Sequence, residues 1–204
     1  MSLSLFRSPL RGIRPSQIKA HFHTITIHKL LVMRYCFYCG LYRQGLLHDL
    51  SKYSPAEFWI GARYYQGNRS PNDAERQTTG ASTAWMHHKG RNRHHFEYWT
   101  DYQVTKDGII MTGTPMPARY VAEMLCDRIA ACRVYQGDKY NPRMPLEYFL
   151  RGNKHKGLMH PETAELLEKL LQMTADRGER RTFAYIRRQL SGPAPFAQLT
   201  KKNV

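Results

Sequence analysis

The stretch Leu46-Leu47-His48-Asp49-Leu50-Ser51-Lys52 sets two good ligands for a divalent cation, an imidazole and a carboxylate, in adjacent positions. The surrounding leucines predict that the pair sits at the edge of a hydrophobic core. An ionised Asp taken out of water needs a partner, and a metal ion is one of the few that offsets the cost. The blander reading is that Asp49 and Ser51 flank or cap a helix. A second unusual stretch, His87-His88-Lys89-Gly90-Arg91-Asn92-Arg93-His94-His95, is dense in histidine and reads either as ligands or as a solvated basic loop. His28 and Asp127 fall within apolar helical patterns. A single polar residue in such a place is usually buried and satisfied by its neighbours.

Helices must position these residues. Ser16 to about Tyr42 reads as one, with Ile25, His28, Leu31, Val32, Tyr35 and Cys39 at three- and four-residue steps on one face. A break over Gly40–Gly45 precedes a short helix from Leu46 to about Tyr53, which carries His48 and Asp49. Ser54-Pro55-Ala56-Glu57 is a helix start, with Ser54 as cap, Pro55 at the first position and Glu57 closing a capping box. Asn68 to Gly80 reads as an irregular surface connection. A helix over Ser82–His88, a turn over Gly90–Arg93 and a helix over His94–Trp99 follow. Helical neighbours point about 100° apart, so one member of each His pair faces inward. His88 shares a face with Ala81, Ala84 and Trp85, and His95 shares one with Asn92, Phe96 and Trp99. Asp107-Gly108 marks the turn of a hairpin over Gln103–Ile110. Pro115 and Pro117 introduce a helix from Ala118 to Gln136, with Val121, Leu125, Ile129 and Cys132 as apolar positions and Asp127 inside it. Helices near Pro145–Arg151, Pro161–Thr174 and Arg180–Leu190 complete an all-α chain with at most one short hairpin.

A length of 204 residues suits one domain, here residues 16–190 between a basic extension (1–15) and a loose tail (191–204). Hydrophobic content of 42% with 13 Tyr, 8 Phe and 3 Trp argues for a packed globule. The formal net charge of +15 favours anionic partners: phosphorylated metabolites, nucleotides or nucleic acid. No apolar run approaches the roughly 20 residues that span a bilayer, so a soluble, cytoplasmic protein with no membrane partner is expected. Arg7, Arg11 and Arg14 stand near the start without the apolar core of a signal peptide, and a frayed basic N-terminus is favoured over a transit peptide. Cys36 and Cys39 form a C-x-x-C that no second pair answers at zinc spacing, so they read as small buried helix residues in a reducing compartment.

The order His28, His48-Asp49, Asp127 is that of H…HD…D, and Lys52 completes HD-x-x-K. With these residues the chain resembles the HD-domain superfamily of metal-dependent phosphohydrolases. Gly45-Leu46-Leu47-His48-Asp49-Leu50-Ser51-Lys52-Tyr53-Ser54-Pro55-Ala56-Glu57-Phe58, together with Trp85–His88 and Arg91–Trp99, looks more closely like an uncharacterised bacterial HD-like family. The resemblance implies an HD-like helical bundle in which His28, His48, Asp49 and Asp127 hold one ion. It also implies a second ion on histidines between the HD pair and the last Asp, with His88 and His95 favoured over His87 and His94. Here the two His pairs lie closer together than the extra histidines of most two-metal members. Mixed N/O ligation fits Mn²⁺, Fe²⁺, Co²⁺, Ni²⁺ or Zn²⁺. The implied reaction is hydrolysis of a phosphate ester, a nucleotide or phosphorylated metabolite, by metal-activated water. Asp49 would hold the cation and Lys52 would meet phosphate charge, as could Arg91 or Arg128. Two readings compete. Some two-iron members of the superfamily are oxygenases, and the charge with Tyr and Trp would also suit a non-catalytic nucleic-acid binder.

Overall fold

The computed structural model describes residues 12–152 and 158–192; the extension over 1–11 and the tail over 193–204 lie outside them. Helix α1, Pro15–Tyr38, has Pro15 at its first position and buries His21, Ile25, His28, Val32, Tyr35 and Cys36, one stripe along its length. It ends at Gly40, whose φ of 81° suits glycine. α2, Tyr42–Leu47, begins where a break was expected and contains Gly45. A Cβ on Gly45 would lie 3.0 Å from Cys36 Cβ and 3.1 Å from the Met33 carbonyl oxygen, so glycine there lets α2 lie close on α1.

α3 is Pro55–Arg63, α4 Pro71–Thr79 and α5 Thr83–Lys89. The expected irregular connection over Asn68–Gly80 is thus mostly helix. Pro71 at the start and Gly80 in the left-handed conformation at the end were its signals, hidden by a polar composition. α4 has a purpose: buried Glu75 accepts from Ser82 Oγ at 2.6 Å and from the Thr83 backbone N–H at 3.0 Å. Ser82 in turn caps α5, accepting from the Trp85 backbone N–H at 3.0 Å. The α5 register, and so the direction of His88, is fixed from both sides.

After α5 the chain turns through residues 90–95 and makes one 3₁₀ turn, Phe96–Trp99, where an α-helix was expected. β1, Thr100–Thr105, pairs antiparallel with β2, Gly108–Gly113, from Thr100↔Gly113 to Thr105↔Gly108. The turn residues are therefore Lys106 and Asp107, with Gly108 closing the ladder at positive φ. α6 is Ala118–Gln136, α7 Met144–Arg151, α8 Pro161–Arg177 and α9 Glu179–Leu190. The architecture is all-α with one short hairpin.

The core gathers Val32 and Cys36 of α1, Leu125 and Ile129 of α6, Leu167, Leu170 and Leu171 of α8, and Phe183 and Ile186 of α9. Each large aliphatic chain removed from water contributes roughly 1.5–3 kcal/mol. α6 lies at the centre, and its packing on α1 fixes the distance between His28 and Asp127. No helix among the described residues is long and apolar enough to cross a membrane.

Candidate metal centre

The His48-Asp49 pair is not helical. α2 stops at Leu47, His48 is extended (φ −52°, ψ 128°), and Asp49 is left-handed (φ 54°, ψ 22°) before a 3₁₀ turn over Leu50–Tyr53. Asp49 is the one non-glycine residue with positive φ among the described residues. Asp tolerates this region better than most residues, at a cost of order 1 kcal/mol that recurs at functional sites. The kink corrects a second expectation. Leu46, Leu47 and Leu50 are each about half exposed, at 56%, 52% and 48%, while Asp49 is 1% exposed. The leucines point out, and the carboxylate turns in.

Two groups of donor atoms converge on that carboxylate. In the first, Asp49 Oδ2 lies 3.6 Å from His28 Nε2 and 3.3 Å from His48 Nε2. Asp127 Oδ1 is 3.0 Å from His28 Nε2 and 3.6 Å from His48 Nε2. In the second, Asp49 Oδ1 lies 3.3 Å from His88 Nε2 and 3.4 Å from His94 Nε2, and His95 Nε2 is 2.9 Å from His88 Nε2. The groups His28, His48, Asp49, Asp127 and Asp49, His88, His94, His95 each bring their ligand atoms within 4.8 Å of one another. Asp49 belongs to both, one oxygen toward each. Trp85 walls the second group, its ring 4.7 Å from that of His95.

His94 was ranked below His95, yet both point inward. The choice between neighbours assumed a helix, and residues 90–95 are a turn in which two consecutive side chains can share a side. His87 does stand apart: its Nδ1 is 2.6 Å from Glu57 Oε1 and joins no ligand group.

Two buried glutamates take roles toward the histidines that the sequence did not suggest. Glu123 Oε1 lies 3.0 Å from His48 Nδ1 and 3.3 Å from His94 Nδ1, while Gln44 Nε2 donates to Glu123 Oε2 at 3.2 Å. Glu57 Oε2 is 2.8 Å from His88 Nδ1. Ser54 occupies the N-cap position of α3 without a side-chain cap bond, so the expected capping box does not form; Glu57 orients histidines instead. An imidazole that donates Nδ1–H to a carboxylate presents its Nε2 lone pair to a metal. The signal for Glu123 was its spacing of four from Asp127 inside an apolar stretch of α6.

Electrostatics follow from this packing. Burial alone would lower the His48 pKa, but Asp49 and its other carboxylate neighbours outweigh it and hold it well above the usual imidazole value. Burial would raise Asp49; His48 and Lys52 instead hold it well below the carboxylate range. Glu123 is brought down to about 2, its bonds to His48 and His94 outweighing burial. Burial pushes His94 and His95 down, toward the neutral form that ligates.

The donor set fits a metal ion on an observation independent of residue type. His28 Nε2, His48 Nε2, His94 Nε2 and both Asp49 carboxylate oxygens are buried without a partner in hydrogen-bond geometry. Buried polar atoms are rarely left so, and here they face one another. Lys52 Nζ touches Asp49 Oδ2 at 2.5 Å, outside that geometry. Arg91 is exposed and turns back to the His87 carbonyl oxygen at 3.2 Å, so it is not part of the cluster. Arg128 lies over the Phe149 ring at 5.7 Å, on the α7 side of α6. Cys36, Cys39 and Cys126 are buried free thiols, with Cys39 and Cys126 sulfurs 3.8 Å apart, and they pack α1 on α6.

Residues 17–173 match the model of a family described as a family of unknown function (DUF5662). No curated protein and no solved structure matches the chain. Since the match covers well over half of the 204 residues and includes every donor residue of the two groups, the chain belongs to the DUF5662 family.

Proposed function

We propose that the chain is a metal-dependent phosphohydrolase of the HD type, with two divalent transition-metal ions held on either side of Asp49. The supporting observation is the convergence of two groups of ligand atoms on Asp49, in which the Nε2 atoms of His28, His48 and His94 and both Asp49 oxygens are buried outside any hydrogen bond. His28, His48, Asp49 and Asp127 would hold one ion, and Asp49, His88, His94 and His95 the other. Three buried carboxylates, those of Asp49, Glu123 and Glu57, and the partly buried Asp127 lie in or against the centre. Two divalent cations balance them and leave the Lys52 ammonium to meet an anionic substrate.

Such ions supply a nucleophile from water near neutral pH and polarise a phosphoryl oxygen. The chain's own residues do the rest. Lys52 offers charge to developing negative charge on phosphate oxygens. Glu123 and Glu57 keep His48, His94 and His88 in the ligating tautomer, and Trp85 shields the second group from water. The substrate class is a small phosphate ester, a nucleotide or phosphorylated metabolite.

Metal analysis of the purified protein, followed by a screen of phosphomonoesters and phosphodiesters, tests this reading. The expected result is a stoichiometric transition metal and hydrolysis that disappears on chelation and in Asp49→Ala. A chain without bound metal, or an Asp49→Ala variant with full metal content, would overturn it. The three imidazoles of the second group also suit iron. Oxygen consumption by the iron-loaded protein, without phosphate release, would favour an oxygenase over a hydrolase.

A further inference from the structure

Beneath the ligands lies a carboxylate that touches both groups at once. Glu123 Oε1 accepts from His48 Nδ1 at 3.0 Å and lies 3.3 Å from His94 Nδ1. His48 belongs to the first ligand group and His94 to the second. The other oxygen is held by Gln44 Nε2 at 3.2 Å, and Gln44 Nε2 also donates to the Arg119 carbonyl oxygen at 3.1 Å, which anchors the arrangement to α6. The Glu57 carboxylate is different. It reaches His88, in the second group only, and His87, in neither.

We propose that Glu123 is a positioning residue that couples the two metal sites, so that they fill together rather than independently. The proposal rests on the two-ion reading above. An ion bound to His48 fixes the His48 ring and, through the shared Oε1, the position of Glu123. Glu123 then holds the His94 ring with its Nε2 lone pair toward the second site. The ordering cost of that second ligand is met when the first ion binds. Asp49 couples the sites directly, since its two oxygens face the two groups; Glu123 makes a second link one bond further out. The linkage is reciprocal: an ion that fills the second site strengthens the first to the same degree.

The arrangement distinguishes this role from a general supporting one. Loss of a carboxylate behind a metal-binding histidine typically weakens the metal ten- to hundred-fold. A bond to one group predicts weakening of one ion, and a bond to both predicts weakening of two. The test is titration of metal-free full-length protein with Mn²⁺, followed by calorimetry and by the paramagnetic signal of the bound ion, in the wild type, Glu123→Gln and Glu57→Gln. The wild type should take up two Mn²⁺ per chain in one transition. Glu123→Gln should weaken both ions, by about ten-fold or more each. Glu57→Gln should weaken one ion and leave the other at its wild-type affinity. If Glu123→Gln does not fold, Gln44→Ala loosens Glu123 without touching either imidazole and should weaken both ions together, to a smaller extent. A Glu123→Gln or Gln44→Ala protein that loses only one ion, or keeps both at wild-type affinity, overturns the coupling. A wild type that takes up no metal at all overturns instead the reading on which it rests.

Discussion

Lys52 shows how far a single residue's role can be argued from contact. Its ammonium touches Asp49 Oδ2, and although burial opposes the charge, Asp49 raises its pKa above the ordinary lysine value, so it stays protonated at neutral pH. A protonated lysine has no lone pair and cannot be a ligand, but it can meet phosphate charge held at the centre. Lys52→Ala is therefore expected to keep its fold and its metal and to lose at least ten-fold in phosphoesterase kcat/KM, about 1.4 kcal/mol. Steady-state kinetics beside metal analysis checks this; unchanged kinetics would show that Lys52 serves only Asp49. His28, His48, Asp49 and Asp127 were legible because ligand types fell in apolar surroundings in a recognisable order. Glu123 was not read: its spacing of four from Asp127 puts it on the same face of α6, but that spacing does not name the two imidazoles it faces. His94 was ranked below His95 because a helical rule was applied to a turn.

At the scale of elements, α1 and α3 pack so closely that a glycine is required. A Cβ on Gly61 would meet the His21 ring, which is 5% exposed and flanked by Phe58 and Tyr65. Gly61→Ala should destabilise the fold by about 1–3 kcal/mol, since a packed ring has little room to shift. Chemical denaturation of the variant measures it. Burial, assisted by nearby Lys52, lowers the His21 pKa to about 4 from an unfolded value of 6.5. The unfolded chain then binds the proton first as pH falls. The stability that His21 contributes is present above pH 6.5 and is lost between 6.5 and about 4, on the order of 3 kcal/mol in all. His21→Leu removes this titration, so its stability should fall less steeply over that window than the wild type's. Parallel slopes would refute the assignment. The helix starts at Pro55, Ala118 and Pro161 were readable because Pro and capping residues act locally. α4 was not, since its use is to hold Ser82 and Thr83 through Glu75, a tertiary purpose.

At the scale of the molecule, the centre ties together segments far apart in the chain: α1, the kink after α2, α5 with its following turn, and α6. Burial of several carboxylates and imidazoles at one point is costly unless cations balance them. Binding of ions to the folded chain alone stabilises it by about 2.7 kcal/mol for each site filled at one hundred times its Kd. Chelation should therefore lower the melting temperature, and added transition metal should restore it. A melting temperature indifferent to both would mean that the cluster is satisfied without metal. The net charge of +15 belongs to this scale too, and its field favours anions in general without selecting among them.

The most direct measurement is a crystal structure of the metal-loaded protein with anomalous difference maps collected at the edge of the bound metal. Two peaks are predicted, one on each side of the Asp49 carboxylate: the first among His28, His48 and Asp127, the second among His88, His94 and His95. A single peak, peaks away from Asp49, or His94 turned out of the centre would contradict the account.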